Sequence, residues 1–345
     1  MSHCINYLAF IFLIILSASC ASIPKNTHSV SERITTGPGA EDLLLDTISC
    51  KYARILVSCT DRRLEEAAPN GDIYAIDLEK DSFSSYPLVR TNEPDSLVFH
   101  PHGFDLVRQK GNIYLFVVSH DYKKDKHYVY KYEVSESNLK FVAAYQNTIM
   151  NSPNTVVALK GGGFYASIDQ GKRGNQLALL LRAKTGSIVF CDEQGGWAKV
   201  ADKLACPNGL YITHKERYLY ASTTRQHMVF KYSIKTDGNL INREKVTKLA
   251  GGDNIRLGQN KELLIPAHPR VFKFVGHLKD STNLSPSIVY SLNPANGVKE
   301  VAYANDGKQI SAASTAISYK NYLYISQVYQ PYILRIKREN KVSKK

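Results

Sequence analysis

The sequence predicts an all-β protein folded as a β-propeller, on three observations. Short strand-like runs recur along the chain from about residue 40. Turn formers separate them at near-even spacing, and no helical period longer than about three turns appears beyond the N-terminal segment. A coarser unit of strand, small polar break and second strand returns roughly every 45–55 residues, close to the spacing of propeller blades.

The predicted strands run in order over residues 54–58, 72–77, 113–119, 128–133, 155–159, 163–168, 187–191 and 210–213. They continue over 218–222, 228–233, 263–266, 271–275, 288–292, 315–318, 322–327 and 332–336. Pro69-Asn70-Gly71, Lys110-Gly111-Asn112, Gly161-Gly162-Gly163, Asp237-Gly238-Asn239 and the stretch from Asn293 to Gly297 punctuate them. Three segments show the coarser unit: GNIYLFVVSH…HYVYKYEV, ERYLYASTTRQHMVFKYSI and NYLYISQVYQPYILRIK. Divided by that period, the chain supplies six or seven blades. A propeller gathers one set of loops at one end of a central channel, so distant positions can converge there.

Composition agrees. Hydrophobic residues make up 43% and charged residues 22%, enough apolar material for a globular core. Tyr occurs 22 times against one Trp, and Tyr suits a half-buried pleated surface.

The N-terminus is a separate element. Residues 1–20 contain no Lys, Arg, Asp or Glu, and residues 7–16 form an apolar run. A bilayer-spanning helix needs about 20 apolar residues. This run is shorter and ends in Ser17, Ala18 and Ser19, the layout of a secretory signal peptide. Two readings stay open: ordinary cleavage near Ala21, or cleavage before Cys20 with lipidation of that residue, as in a bacterial lipoprotein. Both predict export, as a periplasmic or outer-membrane lipoprotein in a bacterium and as a secreted protein otherwise. The expected layout is a signal over 1–20, a polar linker over 21–36, the propeller over 37–338 and a basic tail over 339–345.

Cys4 and Cys20 lie in the signal. Cys50, Cys59, Cys191 and Cys206 show no CxxC spacing, which argues against a zinc site. Cys50 and Cys59 are candidates for pairing in an oxidising compartment, although spacing alone does not set that geometry. The net charge of +13 is spread over the chain, with lysines dense at 123–126 and 337–345. No clustered groove, stacking aromatics or recognition motif accompanies it, so no nucleic-acid partner is predicted. The charge reads as a solvated basic surface beside anionic membrane, a second route to membrane association besides a lipidated Cys20.

Six segments pair an apolar strand with a polar tip. GPGAED carries Glu41 and Asp42, FHPHGF carries His102, and NSPNTVVAL carries Asn154. CPNGLYI carries Asn208, GGDNIRL carries Asp253 and Asn254, and IPAHPR carries His268. Carboxylates and carboxamide carbonyls are hard oxygen donors and suit calcium, whereas zinc prefers His and Cys. Singly, each Asn is an ordinary turn former. Recurrence at the same place in successive repeats is what lifts the set.

These segments, in this order, resemble the paraoxonase/arylesterase family, related to the gluconolactonase-like six-bladed propellers. LFVVSH, YLYAS and the final IVYSLNP…GKQISAASTAISYKNYLYIS extend the match over about residues 37–338. The resemblance implies six blades and a hydrolase acting on a small-molecule ester or lactone. It implies a catalytic calcium held by Glu41, Asn154, Asn208, Asp253 and Asn254, with His102 and His120 in the channel and a His-Pro pair at His268-Pro269. The expected chemistry has calcium polarising the carbonyl and water attacking, with His102 as base, His120 orienting it and Asp253 able to share the role. No Gly-Xaa-Ser-Xaa-Gly elbow suggests a serine nucleophile.

Two departures stand out. The family follows its Asn with an Asp that helps hold a second, structural calcium, and here Thr155 occupies that place. The family's long-range disulfide has no counterpart, because no Cys lies between residues 21 and 49 or beyond Cys206. Ring closure is therefore expected from strand pairing between the two ends of the chain. A different class of function stays open, a catalytically inactive, calcium-stabilised propeller acting as a binding or scaffold protein. Lys123, Lys124, Lys172, Arg173 and Arg225 in the expected mouth loops suggest a negatively charged substrate.

Overall fold

The computed structural model describes residues 25–80 and 83–338. The expected signal peptide with Cys4 and Cys20, and the basic tail, lie outside these residues. Six sheets, antiparallel but for one strand pair, stand around a central channel as a six-bladed β-propeller. In four blades the strands follow chain order outward from the channel, as short turns between sequential antiparallel strands allow, and blades 2 and 6 add an outermost strand from earlier in the chain. The innermost strands are Ala40–Asp46, Pro101–Gln109, Pro153–Ala158, Pro207–Ile212, Arg256–Leu257 and Ala313–Tyr319, for blades 1 to 6. Blade 2 gains a fifth strand, Val89–Thr91, which pairs in parallel with Asn138–Tyr145.

The ring closes through blade 6. Its outermost strand is Glu32–Thr35, paired antiparallel to Tyr332–Lys337 with Glu32 opposite Arg335. The stretch expected as a polar linker thus contributes a strand, and Ile34 is 2% exposed within it. Closure by pairing of the two chain ends is what the missing disulfide led one to expect.

The core is six layers, one between each pair of neighbouring blades. Side chains alternate along a strand, so each inner strand serves two layers. In blade 2, Leu115 and Val117 pack towards blade 1, while Phe116 and Val118 pack towards blade 3. In blade 1, Leu56 faces blade 2, while Ile55 and Val57 face blade 6. A strand sandwiched on both faces must be apolar throughout, as Arg54–Cys59 nearly is, and its six residues are all buried. Its Arg54 is neutralised by Asp46, Nε to Oδ2 at 2.9 Å.

One predicted strand is corrected. Residues 271–275 belong to the helix Val271–Lys279. Val271, Phe274, Val275 and Leu278 follow the i, i+3, i+4, i+7 pattern of a helix, which a five-residue window cannot separate from a strand. The pairing of Cys50 and Cys59, left open by their spacing, is not formed, since all four described cysteines are free. Cys50 Sγ donates to the Tyr52 carbonyl, and Cys59 is buried in the layer between blades 6 and 1. Among the described residues, no helix is long and apolar enough to cross a membrane.

Candidate functional site

The second residue of five of the six innermost strands forms one level of the channel. These residues are Glu41, His102, Asn154, Asn208 and Ser314, and Asn254 reaches it from just before Arg256–Leu257. Five of the six innermost strands have a register shift immediately after their first residue. Such a bulge bends the strand and re-aims the side chain beside it. Two glycines let the strands crowd together. A Cβ on Gly103 would stand 2.6 Å from Thr155 Cα, and one on Gly209 would stand 2.6 Å from Asn254 Cα.

The bulges are held by serines that the sequence reading missed. Ser167, Ser222 and Ser326 each lie on the second strand of a blade and accept from a first-strand amide, those of Thr155, Gly209 and Thr315. Each then donates to a carbonyl of the following blade: Asn208 and Asp253 at 2.6 Å, and Glu41. The signal was readable, since a Ser ends the apolar run in LVSC, VVSH, YASI, YAST and YISQ.

Glu41 is the best-connected member. Its Oε1 accepts from Asn254 Nδ2 at 3.0 Å and Ser314 Oγ at 2.6 Å. Arg62 lies 3.8 Å from Oε2 and binds the carbonyls of Gly39 and Pro101, fixing the approaches to Glu41 and His102. Burial pushes the Glu41 carboxyl up to about 7, against the pull of Arg62.

Four buried oxygens here accept no hydrogen bond: Glu41 Oε2, Asn154 Oδ1, Asn208 Oδ1 and Asn254 Oδ1. Buried polar atoms are paired in the great majority of cases, so four orphans at equivalent places in four blades ask for a ligand. One carboxylate and three carboxamide oxygens fit a hard cation. Among the described residues, no three His, Cys, Asp or Glu side chains group as a metal site. Asp253 is engaged differently, with its Oδ2 2.8 Å from His268 Nε2. His268 is roofed by Phe274 of the Val271–Lys279 helix, ring centroids 4.3 Å apart.

His102 and His120 are brought together, Nδ1 to Nε2 at 2.9 Å. A third histidine extends the row: His120 Nδ1 lies 2.9 Å from His127 Nδ1. His127 Nε2 then faces exposed Asp125 at 3.7 Å. His120 and His127 are direct partners across a hairpin, which places them side by side. Burial holds all three imidazoles below the ordinary histidine range, His102 and His120 far below it. The first histidine of FHPHGF, His100, also supports the row, with its Nδ1 on the His120 carbonyl at 2.9 Å.

The mouth loops carry less free charge than expected. Arg225 is buried and donates to the carbonyls of Leu179 and Leu180. Arg173 lies over Tyr122 and beside Glu65 and Asp125, and Lys124 pairs with Asp121. These cations are satisfied within the protein, which weakens the case for an anionic substrate.

Comparison with known proteins adds to this geometry. The family model described as arylesterase matches residues 63–333. Human serum paraoxonase/arylesterase 2 is 24% identical over 301 residues, covering 84% of each chain. Rat serum paraoxonase/arylesterase 1 is 25% identical over 268 residues, covering 75% of each. A gluconolactonase from Xanthomonas campestris superposes with a TM-score of 0.53 at 14% identity, over 93% of this chain and 96% of its own. Regucalcin from Agrobacterium tumefaciens, a calcium-binding protein, does so with a TM-score of 0.55 at 10% identity, over 92% and 96%. At such identities these two likenesses speak to the fold.

Proposed function

Because the chain belongs to the arylesterase family, we propose that it is a calcium-dependent hydrolase of carboxylic esters or lactones. The observation that carries this reading is the set of four buried oxygens that accept no hydrogen bond, of Glu41, Asn154, Asn208 and Asn254, beside a histidine row. Glu41, Asn154, Asn208 and Asn254 would hold the ion, with Asp253 as a fifth ligand. When bound, calcium supplies a Lewis acid for the substrate carbonyl and the charge that develops on it.

The chain's own residues handle the proton. His102 Nε2 faces the channel, 3.7 Å from Glu41 Oε1. In the tautomer with His102 Nδ1–H donating to His120 Nε2, the Nε2 lone pair is open to a proton from water. Burial keeps the imidazole neutral near pH 7, as a base must be. Water forms the new bond to the carbonyl carbon as one of its protons passes to His102; the bond from that carbon to the alkoxy oxygen then breaks, and the alkoxide leaves as the alcohol with the water's other proton as the acid product ionises. His120 Nδ1–H and His127 Nε2–H can point outward in the same sense, so the row relays the proton towards Asp125. Asp253 and His268 form a second acid–base pair on the far side of the ring.

The test uses purified chain with a panel of aryl esters and lactones, before and after chelation. Turnover that is lost with chelator and restored by calcium is the expected result. Calcium binding without turnover on any ester or lactone would favour the scaffold alternative instead.

A further inference from the structure

A buried carboxylate beside Glu41 is paired with an arginine from another blade. Asp42 follows Glu41 and is fully buried. A buried carboxylate needs a compensating charge. Its Oδ1 accepts from the Leu43 amide and from Thr315 Oγ1, both at 2.8 Å. Its Oδ2 accepts from the Phe104 amide at 3.1 Å and from Arg256 Nη2 at 2.6 Å. The same Nη2 donates to the Phe104 carbonyl at 2.8 Å, and Arg256 Nε donates to the Leu43 carbonyl at 2.8 Å.

One carboxylate and two main-chain carbonyls therefore converge on the guanidinium. That is an all-oxygen seat of the kind a hard divalent cation takes. The contrast with the neighbouring level is plain. Glu41, Asn154, Asn208 and Asn254 each retain a buried oxygen that accepts no hydrogen bond, whereas both Asp42 oxygens accept hydrogen bonds. Thr155, neutral, packs against Gly103 where a further acidic ligand would stand. Arg256 leads the innermost strand of blade 5 and reaches blades 1 and 2, so its cation ties three blades at once.

We propose that Arg256 is the resident cation of this second seat, so that the chain takes up one divalent ion and none at Asp42. The count of one rests on the calcium reading above, while the exclusion at Asp42 rests on the Arg256 geometry alone. Ring closure at this level then does not depend on calcium supply.

The experiment counts calcium per chain by equilibrium dialysis and follows thermal unfolding with and without calcium. It compares the full chain with Arg256→Ser and with Arg256→Ser/Asp42→Asn. One ion in the parent, two in Arg256→Ser and one in the double variant is the expected result. Without calcium, Arg256→Ser should melt lower by on the order of 10 °C, because removing one partner strands a buried charge. Calcium should recover most of that loss. A parent chain that binds two ions overturns the proposal even if Arg256→Ser fails to fold. So does Arg256→Ser binding no additional ion. A parent that binds none, with Arg256→Ser binding one, defeats the calcium reading and leaves the Arg256 assignment standing.

Discussion

Asn254 Nδ2 donates to Glu41 Oε1 at 3.0 Å, joining blades 5 and 1 across the channel. The bond fixes the Asn254 amide, whose Nδ2 also donates to Thr315 Oγ1 at 2.9 Å. With its nitrogen so committed, Oδ1 of Asn254 is left as an acceptor, buried and without a hydrogen bond, as is Glu41 Oε2.

Glu41→Gln is therefore expected to weaken calcium binding by at least about 100-fold. It removes the one carboxylate among the four orphaned oxygens, and charge count tunes calcium affinity. Calorimetry against calcium checks this, and an unchanged dissociation constant would remove Glu41 from the ligand set. The same variant should be more stable than the parent in chelator at pH 8, since a buried charge is gone.

The pH dependence has a definite sign. Burial raises Glu41 to about 7 in the metal-free protein, from an ordinary value of 4.5. A raised carboxyl contributes stability that is fully present below about pH 4.5 and lost as pH rises through about 7, on the order of 3 kcal/mol. Calcium needs the ionised form, so its affinity should climb with pH up to about 7 and then level off. Titrations at pH 6 in buffers of different ionisation heat should show close to one proton released per ion bound, and few at pH 8.5. Equal release at both values would contradict the role of Glu41.

How much of this was legible depends on range. The alternation in Ile113 to Val118 names a strand with two apolar faces, so blades could be read locally. The closing strand could not, because ERIT shows one buried residue, Ile34, and its partner strand lies some 300 residues away. The oxygen set was found through motif order, whereas Arg256 was read only as part of GGDNIRL. Its meaning needs the Leu43 and Phe104 carbonyls of two other blades. His127 was missed because its pairing with His120 follows from hairpin register, although two histidines flanking a Lys-rich turn were a usable sign.

Closure by that strand makes a stability prediction. Ile34 packs in the layer shared with Ile55, Ile317 and Ile333. Ile34→Ala should cost about 2–4 kcal/mol through lost burial and the cavity left behind. Denaturant unfolding measures it, and a cost below about 0.5 kcal/mol would mean the ring is held elsewhere.

His127 predicts a separable kinetic effect. It touches neither the orphaned oxygens nor the channel face of His102, so His127→Phe should leave KM and calcium affinity near the parent values. If the row relays the proton, kcat should fall by about 10-fold and its pH profile should change, a modest share of the usual acid–base contribution. An unaltered pH profile with lowered stability would make His127 a packing residue only.

Ser222 tests whether the serines position the site or merely fill space. Its hydroxyl accepts from the Gly209 amide at 2.9 Å and donates to the Asp253 carbonyl at 2.6 Å, so it grips the main chain beside Asn208 and at Asp253. Ser222 is fully buried, and Ser222→Ala would leave both backbone groups without that partner. Each such loss costs about 1–3 kcal/mol, so a total of about 2–6 kcal/mol is expected in denaturant unfolding. A filler would cost stability alone. A positioning residue should also lower calcium affinity, because the misplaced backbone carries two of the proposed ligands. A variant that loses stability yet binds calcium as tightly as the parent would assign Ser222 to blade packing and free the ligand geometry from it.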